Sequence, residues 1–346
     1  MLSEPAGSLV PFLSESASGL FCERGGFYID PWLPVDRALI THAHGDHARP
    51  GSAAYLCAAP TEALLRRRLG ADTRIETVPY NEPMTIGEVR VSFHPAGHVL
   101  GSAQIRLESL DGVWVVSGDY KRAPDPTCTP FEPIRCDTFI TESTFGLPIY
   151  RWDDTAVVID DIAQWWRGNR DEGRTSVLFC YTLGKAQRLL AELMRVTDRP
   201  VYVHGMMTAM IDAYREAGVA MLPVLPVIER ARGSRSTAAS FAGELVLAPL
   251  SARGTPWIRR LGDISDAFAS GLMRVRGVRR QRAFDRGFAL SDHADWPALL
   301  QTVADTGASR VFATHGHAEP LARYLSALGL QSGTMRTAWE GEPSGD

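Results

Sequence analysis

The chain has 346 residues, enough for two domains, and 45% hydrophobic against 22% charged residues excludes a disordered or fibrous protein. No run approaches the ~20 uninterrupted apolar residues of a spanning helix, and the start Met1-Leu2-Ser3-Glu4 lacks the basic region of a secretory signal, so a cytoplasmic protein without membrane contact is expected. Net charge is −4, which argues against a nucleic-acid binder unless basic residues are gathered into patches.

From Gly19 to about Leu107 the pattern is short strands between Gly and Pro turns. The expected strands are Phe27–Ile29, Ala38–Thr41, Val89–Phe93 and Gln104–Leu107, followed by Val113–Ser117 and Thr138–Thr141. After about Pro148 the texture changes. Val157, Ile162, Trp165 and Trp166 give helical spacing over Asp153–Trp166. Strand Ser176–Cys180, helix Gly184–Val196, strand Pro200–His204, helix Met207–Ala217 and strand Leu245–Pro249 then alternate, as in a parallel sheet with helices on its faces. After Gly287 a strand returns, then a helix near Trp296–Ala304, strand Arg310–Thr314 and a last helix near Glu319–Leu328. A Rossmann-like layer is thus expected between two parts of another domain. The chain closes soon after that helix, so no separate dimerisation domain is expected.

The five cysteines (Cys22, Cys57, Cys128, Cys136, Cys180) are scattered and form no CxxC pair, which suggests neither a disulfide framework nor a thiolate zinc site. Histidines carry the chemistry instead. His42-Ala43-His44-Gly45-Asp46-His47 follows an apolar strand directly. Side chains two apart at a strand end point the same way, and the glycine turn lets Asp46 and His47 face a second ion. Burying three histidines and an aspartate without a metal would leave many polar groups unsatisfied. Imidazole and carboxylate suit zinc, or manganese where oxygen ligands dominate. His98, Asp119 and His315 each lie near the end of a further apolar strand. His94 reads as structural or as a support behind the ligands, His204 as structural, and His317 competes with His315.

Phosphate contacts have three candidates. Arg274, Arg276, Arg279, Arg280 and Arg282 form one basic run, with Arg286 behind it. Arg66-Arg67-Arg68 is either a second run or a solvated face. Lys185 follows Gly184 at an expected helix start, where a phosphate can sit.

The HxHxDH cluster, Gly97-His98 and Ser117-Gly118-Asp119 resemble the metallo-β-lactamase superfamily. Phe139-Ile140-Thr141-Glu142-Ser143-Thr144-Phe145-Gly146, Leu290-Ser291-Asp292-His293-Ala294-Asp295 and Thr314-His315-Gly316 are similar to motifs of its nucleic-acid-processing β-CASP branch. Within that branch, Asp119-Tyr120-Lys121-Arg122 and Leu183-Gly184-Lys185-Ala186-Gln187-Arg188 resemble the bacterial ligase-associated DNA exonucleases, compact relatives of mRNA 3′-end processing factors.

The resemblance implies an α/β fold: an αββα sandwich in residues 1–147 and 288–346, with an inserted Rossmann-like β-CASP domain in 148–287. It implies two Zn2+ ions, one on His42, His44 and His98, the other on Asp46, His47 and His315, with Asp119 bridging. Asp30 would orient the histidines, and Asp46, His293 and Glu142 would be catalytic, with His293 as general acid and Glu142 holding its other nitrogen. The implied activity is phosphodiester hydrolysis in DNA from an end, in repair with an ATP-dependent ligase and a helicase. RNA is the alternative substrate, and a non-catalytic scaffold subunit is the alternative of another kind.

Overall fold

The computed structural model describes residues 12–110, 112–227, 241–277 and 283–336. Strands β1 (Ser14–Ser16), β2 (Gly19–Cys22), β3 (Phe27–Ile29), β4 (Ala38–Ile40), β5 (Tyr55–Ala58) and β6 (Ile75–Val78) form one sheet in chain order. Helix α1 (Glu62–Leu69) joins its last two strands. Strands β7 (Met84–Ile86), β8 (Val89–Pro95), β9 (Ala103–Ser109) and β10 (Gly112–Val116) then run as an antiparallel meander, and β11 (Thr138–Glu142) joins β10 in parallel.

The chain next builds a separate layer. It comprises α2 (Thr155–Asp171), β12 (Thr175–Phe179), α3 (Lys185–Glu192), β13 (Val201–Val203), α4 (Thr208–Glu216), β14 (Val224–Pro226), β15 (Leu245–Ala248), β16 (Ile264–Ala269) and β17 (Arg286–Phe288). Its six strands are all parallel, in the order β14-β13-β15-β12-β16-β17. Helix α5 (Trp296–Thr306), β18 (Arg310–Thr314), α6 (Ala318–Ala327) and β19 (Gln331–Thr334) follow. β18 pairs directly with β11, giving a second sheet of order β19-β18-β11-β10-β9-β8-β7. The parallel layer is therefore inserted between two neighbouring strands of another sheet.

Alternation along the strands fixes the layering. In β4, Leu39 faces the meander together with Phe27, Ile29, Val91, Phe93, Ile105 and Val116. Its neighbours Ala38 and Ile40 face the other way, toward Leu64 and Leu65 of α1. The meander sheet turns its opposite face, with Val115, Phe139 and Val311, toward Leu299 and Val303 of α5 and Leu321 of α6. This is a helix–sheet–sheet–helix sandwich. In the inserted layer, Ile159, Ile162 and Trp166 of α2 cover one sheet face with Leu189 of α3 and Ile211 of α4. Truncating Phe93, which is fully buried between the two sandwich sheets, leaves a large void. Phe93→Ala is expected to cost about 3–5 kcal/mol, read as a lower midpoint in urea.

Some elements were not expected. The short strands β1 and β7 and the buried β5 carry little alternation to read. In β16, Asp266 interrupts an apolar run because its carboxylate takes the Arg253 Nε at 2.9 Å. The strand expected after Gly287 begins at Arg286 and belongs to the inserted sheet, beside β16. Phe288 and Leu290 accordingly pack in the inserted layer's core. Among the described residues, no helix is long and apolar enough to cross a membrane.

Candidate metal centre

Four strand ends and the turns after them meet at one edge of the sandwich. β4 leads into Thr41 to His47, β8 into His98, β10 into Asp119 and β18 into His315. The backbone must turn sharply for the side chains to converge. Gly118 has φ 54°, and a Cβ there would lie 2.6 Å from the Thr41 Cβ, so only glycine lets the Asp119 turn approach the histidine loop so closely.

Asp119 is the hub. Its Oδ2 lies 3.5 Å from the Nε2 atoms of His42 and His47, 3.7 Å from His98 Nε2 and 4.0 Å from His293 Nδ1. Potential ligand atoms of His42, His44, His98 and Asp119 all fall within 4.8 Å of one another. Asp46 approaches His47 Nε2 at 3.8 Å, and the rings of His47 and His315 stack at 5.1 Å. His42, His44 and His98 thus gather with Asp119, His47 links Asp119 to Asp46 and His315, and Glu142 and His293 make a further group of potential ligands with Asp119.

The donor set fits a cation. His44 Nδ1 sits 3.0 Å from His42 Nε2 and 3.1 Å from His98 Nε2. One ring nitrogen offers one hydrogen or one lone pair, so it cannot hydrogen-bond to both. A metal among the three removes the conflict, since tetrahedral Zn–N bonds of ~2.0–2.1 Å separate the nitrogens by little more than that. Among the described residues, His47 Nε2 and Asp119 Oδ1 are also buried without a hydrogen-bond partner. Orphaned donors and acceptors of this kind are what ion ligands look like when their other contacts are made.

Electrostatics prepares the same groups. Burial, with the charge on His47 next, pushes His42 well below the usual imidazole range; burial and His293 do the same to His98. Burial and then His47 bring His315 down to about 4. All three are thus neutral, lone-pair imidazoles at physiological pH. His47 differs: burial opposes its protonation, but Asp119, Asp46 and Asp30 outweigh it and raise the ring well above its ordinary value. Burial likewise opposes ionisation of Asp119, and His47 and His293 outweigh it, holding the carboxylate well below its usual range.

Supporting contacts aim the rings. Asp30 Oδ2 lies 2.7 Å from His47 Nδ1, while its two oxygens accept from Thr41 N at 2.8 Å and Thr41 Oγ1 at 2.5 Å. Glu142 is buried; it accepts from Tyr120 N at 2.7 Å and lies 2.9 Å from His293 Nδ1. Trp152 Nε1 donates to the His293 carbonyl at 2.9 Å. His94, hydrogen-bonded to Ser92, and His204, against Trp257, stand apart. His317 lies against Tyr150 at the N-cap position of α6, without a side-chain cap bond.

The expected phosphate contacts fare differently. Lys185 is buried, and its Nζ pairs with Asp292 Oδ2 at 2.8 Å, so it is not a phosphate seat. A buried cation that already has its carboxylate would pay heavily to leave it. Arg66, Arg67 and Arg68 are likewise engaged, with Glu62, Glu216 and the Ala43 carbonyl. Arg274 is half-buried and pairs with Asp153 at 3.0 Å, while Arg276 is exposed. Arg279, Arg280 and Arg282 lie outside the described residues.

Sequence reasoning missed the buried charges behind the site. Arg188 joins Asp292 at 3.0 Å and Asp125 at 3.5 Å, and Lys121 bonds Asp125. The available signal was a lysine and an arginine three apart on the amphipathic helix α3, which places both on one face.

No protein-family model matches the chain. A protein of Opitutus terrae named "Probable DNA ligase" is 32% identical over 329 residues, 93% of this chain and 31% of that one. "Endoribonuclease ysh1" of Aspergillus fumigatus is 36% identical over 122 residues, 34% of this chain and 13% of that one. "RNase J-like protein" of Methanocaldococcus jannaschii is 28% identical over 207 residues, 49% of this chain and 48% of that one. The chain thus spans less than a third of the length of the first two and about half of the third. A solved structure of an Enterococcus faecalis protein of unknown function covers 82% of this chain at a TM-score of 0.57 and 14% identity, with 76% of that chain covered; the two share a fold.

Proposed function

Because the chain belongs to the metallo-β-lactamase superfamily, in its β-CASP nuclease branch, we propose that it is a dinuclear zinc phosphodiesterase that shortens DNA from an end. The observation that carries this reading is the convergence of four histidine ring nitrogens within 3.5–4.0 Å of one buried carboxylate oxygen, Asp119 Oδ2. His42, His44 and His98 would hold one ion, Asp46, His47 and His315 the other, and Asp119 both; manganese is the second choice of metal. Such a pair supplies Lewis acidity toward phosphate oxygens and makes water acidic enough to deprotonate near neutrality.

The chain's own residues supply the rest. Water oxygen bonds to phosphorus and gives up a proton to solvent as the P–O ester bond breaks, and the leaving ester oxygen takes up a proton. His293 is the donor. Glu142 holds its Nδ1, so the transferred proton is the one on Nε2. Residues 1–147 with 288–346 would carry the metals, and the insert, taken as 148–287 and reaching Phe288 where β17 ends, would close over them. Arg276, with Arg279, Arg280 and Arg282, would guide the phosphate backbone toward the opening.

The DNA substrate is supported by one comparison: 93% of this chain aligns with part of a protein named as a DNA ligase. That relationship also accords with a repair role beside a ligase; the ATP-dependent kind of ligase and a helicase as a further partner rest on the sequence resemblance alone. The five free cysteines accord with a reducing cytoplasm. RNA is the second reading, because other relatives are named endoribonuclease.

The test gives zinc- or manganese-loaded protein matched, end-labelled single-stranded DNA and RNA. The expected result is metal-dependent shortening of DNA with RNA spared; the end lost first gives the polarity. Preferential loss of RNA would move the protein to RNA processing. Loss of neither would return it to a scaffold role.

A further inference from the structure

The two ligand groups are aimed from different parts of the molecule. His47 is held by Asp30 at 2.7 Å and His315 lies 2.9 Å from Thr314 Oγ1, both within the sandwich. In the other group only His42 is held this way, 3.1 Å from Thr41 Oγ1. His44 Nε2 lies 3.2 Å from the Leu183 carbonyl, in the inserted layer just before α3. His98 Nδ1 bonds the Asp292 carbonyl at 2.7 Å, on the loop that leaves that layer. Hydrogen bonds of this type fix the tautomer and direction of a ligating imidazole.

Helix α3 holds the second carbonyl in place. Lys185 Nζ and Arg188 reach the two Asp292 carboxylate oxygens at 2.8 and 3.0 Å. Arg188 also donates to the Ser291 carbonyl at 2.6 Å and to Thr155 Oγ1 at 2.8 Å. Both cations are almost fully buried, so separating them from Asp292 would strand charge in the interior. The seam is tight as well. Gly184 has φ 85°, and a Cβ there would lie 2.5 Å from Val99 Cγ1, next to His98.

We infer that the inserted layer, through the Leu183 carbonyl and the grip of Lys185 and Arg188 on Asp292, completes the first metal position but not the second. Lys185 and Arg188 are positioning residues: they touch neither metal nor substrate, and act through the loop that aims His98. The inference rests on the ligand assignment proposed above. It makes docking of the insert and occupancy of the first position reciprocally linked, while the second position, which shares only Asp119 with the first, is affected less.

Zinc competition against a chromophoric chelator reads this without any turnover. Wild-type protein should bind two ions. In Lys185→Met, one of them should weaken by about 10–100-fold and the other by much less. Lys185→Arg should recover most of that loss. Gly184→Ala should reproduce it without removing a charge, and Asp30→Asn should weaken the other ion instead. Equal weakening of both ions in Lys185→Met, or of neither, overturns the inference. A wild-type protein that binds no zinc overturns the ligand assignment itself. Should Lys185→Met not fold, amide exchange of the wild type decides: zinc should slow exchange across 183–188 as well as around His42 to His47, and unchanged exchange in 183–188 overturns the inference.

Discussion

Asp119→Ala is expected to lose both metal ions and to cut phosphodiester hydrolysis by about a thousandfold or more, equivalent to ~4 kcal/mol of barrier. The size of the effect follows from position. Every imidazole the site directs inward, apart from those of His44 and His315, comes within 4.0 Å of this one carboxylate oxygen. Removing it also strips His47 of the largest charge favouring its protonated form, so the variant alters the apo protein too. Asp119→Asn separates the two contributions: it keeps the shape of the side chain and deletes only the charge. Metal content by atomic absorption, beside the rate, is the measurement. An alanine variant that retains two ions would reduce Asp119 to a structural ion-pair partner of His47.

The half proposed to carry the metals was legible because its candidate ligands are sequence-local or strand-terminal. Three histidines and an aspartate in six residues fit no apolar pattern, and Asp119 and His315 close runs such as Val113–Val116 and Arg310–Ala313. The convergence itself was not legible, since it depends on β11 pairing with β18 across the whole inserted layer. The grip of the insert on the site was hidden for another reason. Lys185 looks like any helix-start lysine until Asp292, far along the chain, is seen at 2.8 Å. Burial reverses its meaning: an exposed lysine at a helix start can seat a phosphate, whereas this one is committed to a carboxylate. The arginines at 66–68 repeat the lesson, for Arg67 reaches Glu216 in α4.

His293→Ala is expected to lower turnover by ~10²–10⁴ while both metal ions remain. The ring is buried against Glu142 and Phe145, and its nearest approach to the hub is 4.0 Å, longer than that of His42, His47 or His98. What sets it apart is Glu142, which lies 2.9 Å from Nδ1 and leaves Nε2 to give up a proton. Glu142→Gln tests the same step from behind. The amide can still accept from Tyr120 N, but it presents a donor or a neutral acceptor to Nδ1 where the carboxylate held it. Its turnover should fall toward that of His293→Ala, and the double variant should be no slower than His293→Ala, because residues acting as one unit are not additive. A substrate with a nitrophenolate leaving group distinguishes acid catalysis from mere support of the fold. Such a group departs without a proton, so the defects of both variants should shrink sharply on it. Equal defects on the nucleotide and nitrophenyl esters would remove His293 from proton transfer, and loss of zinc from His293→Ala would make it a ligand.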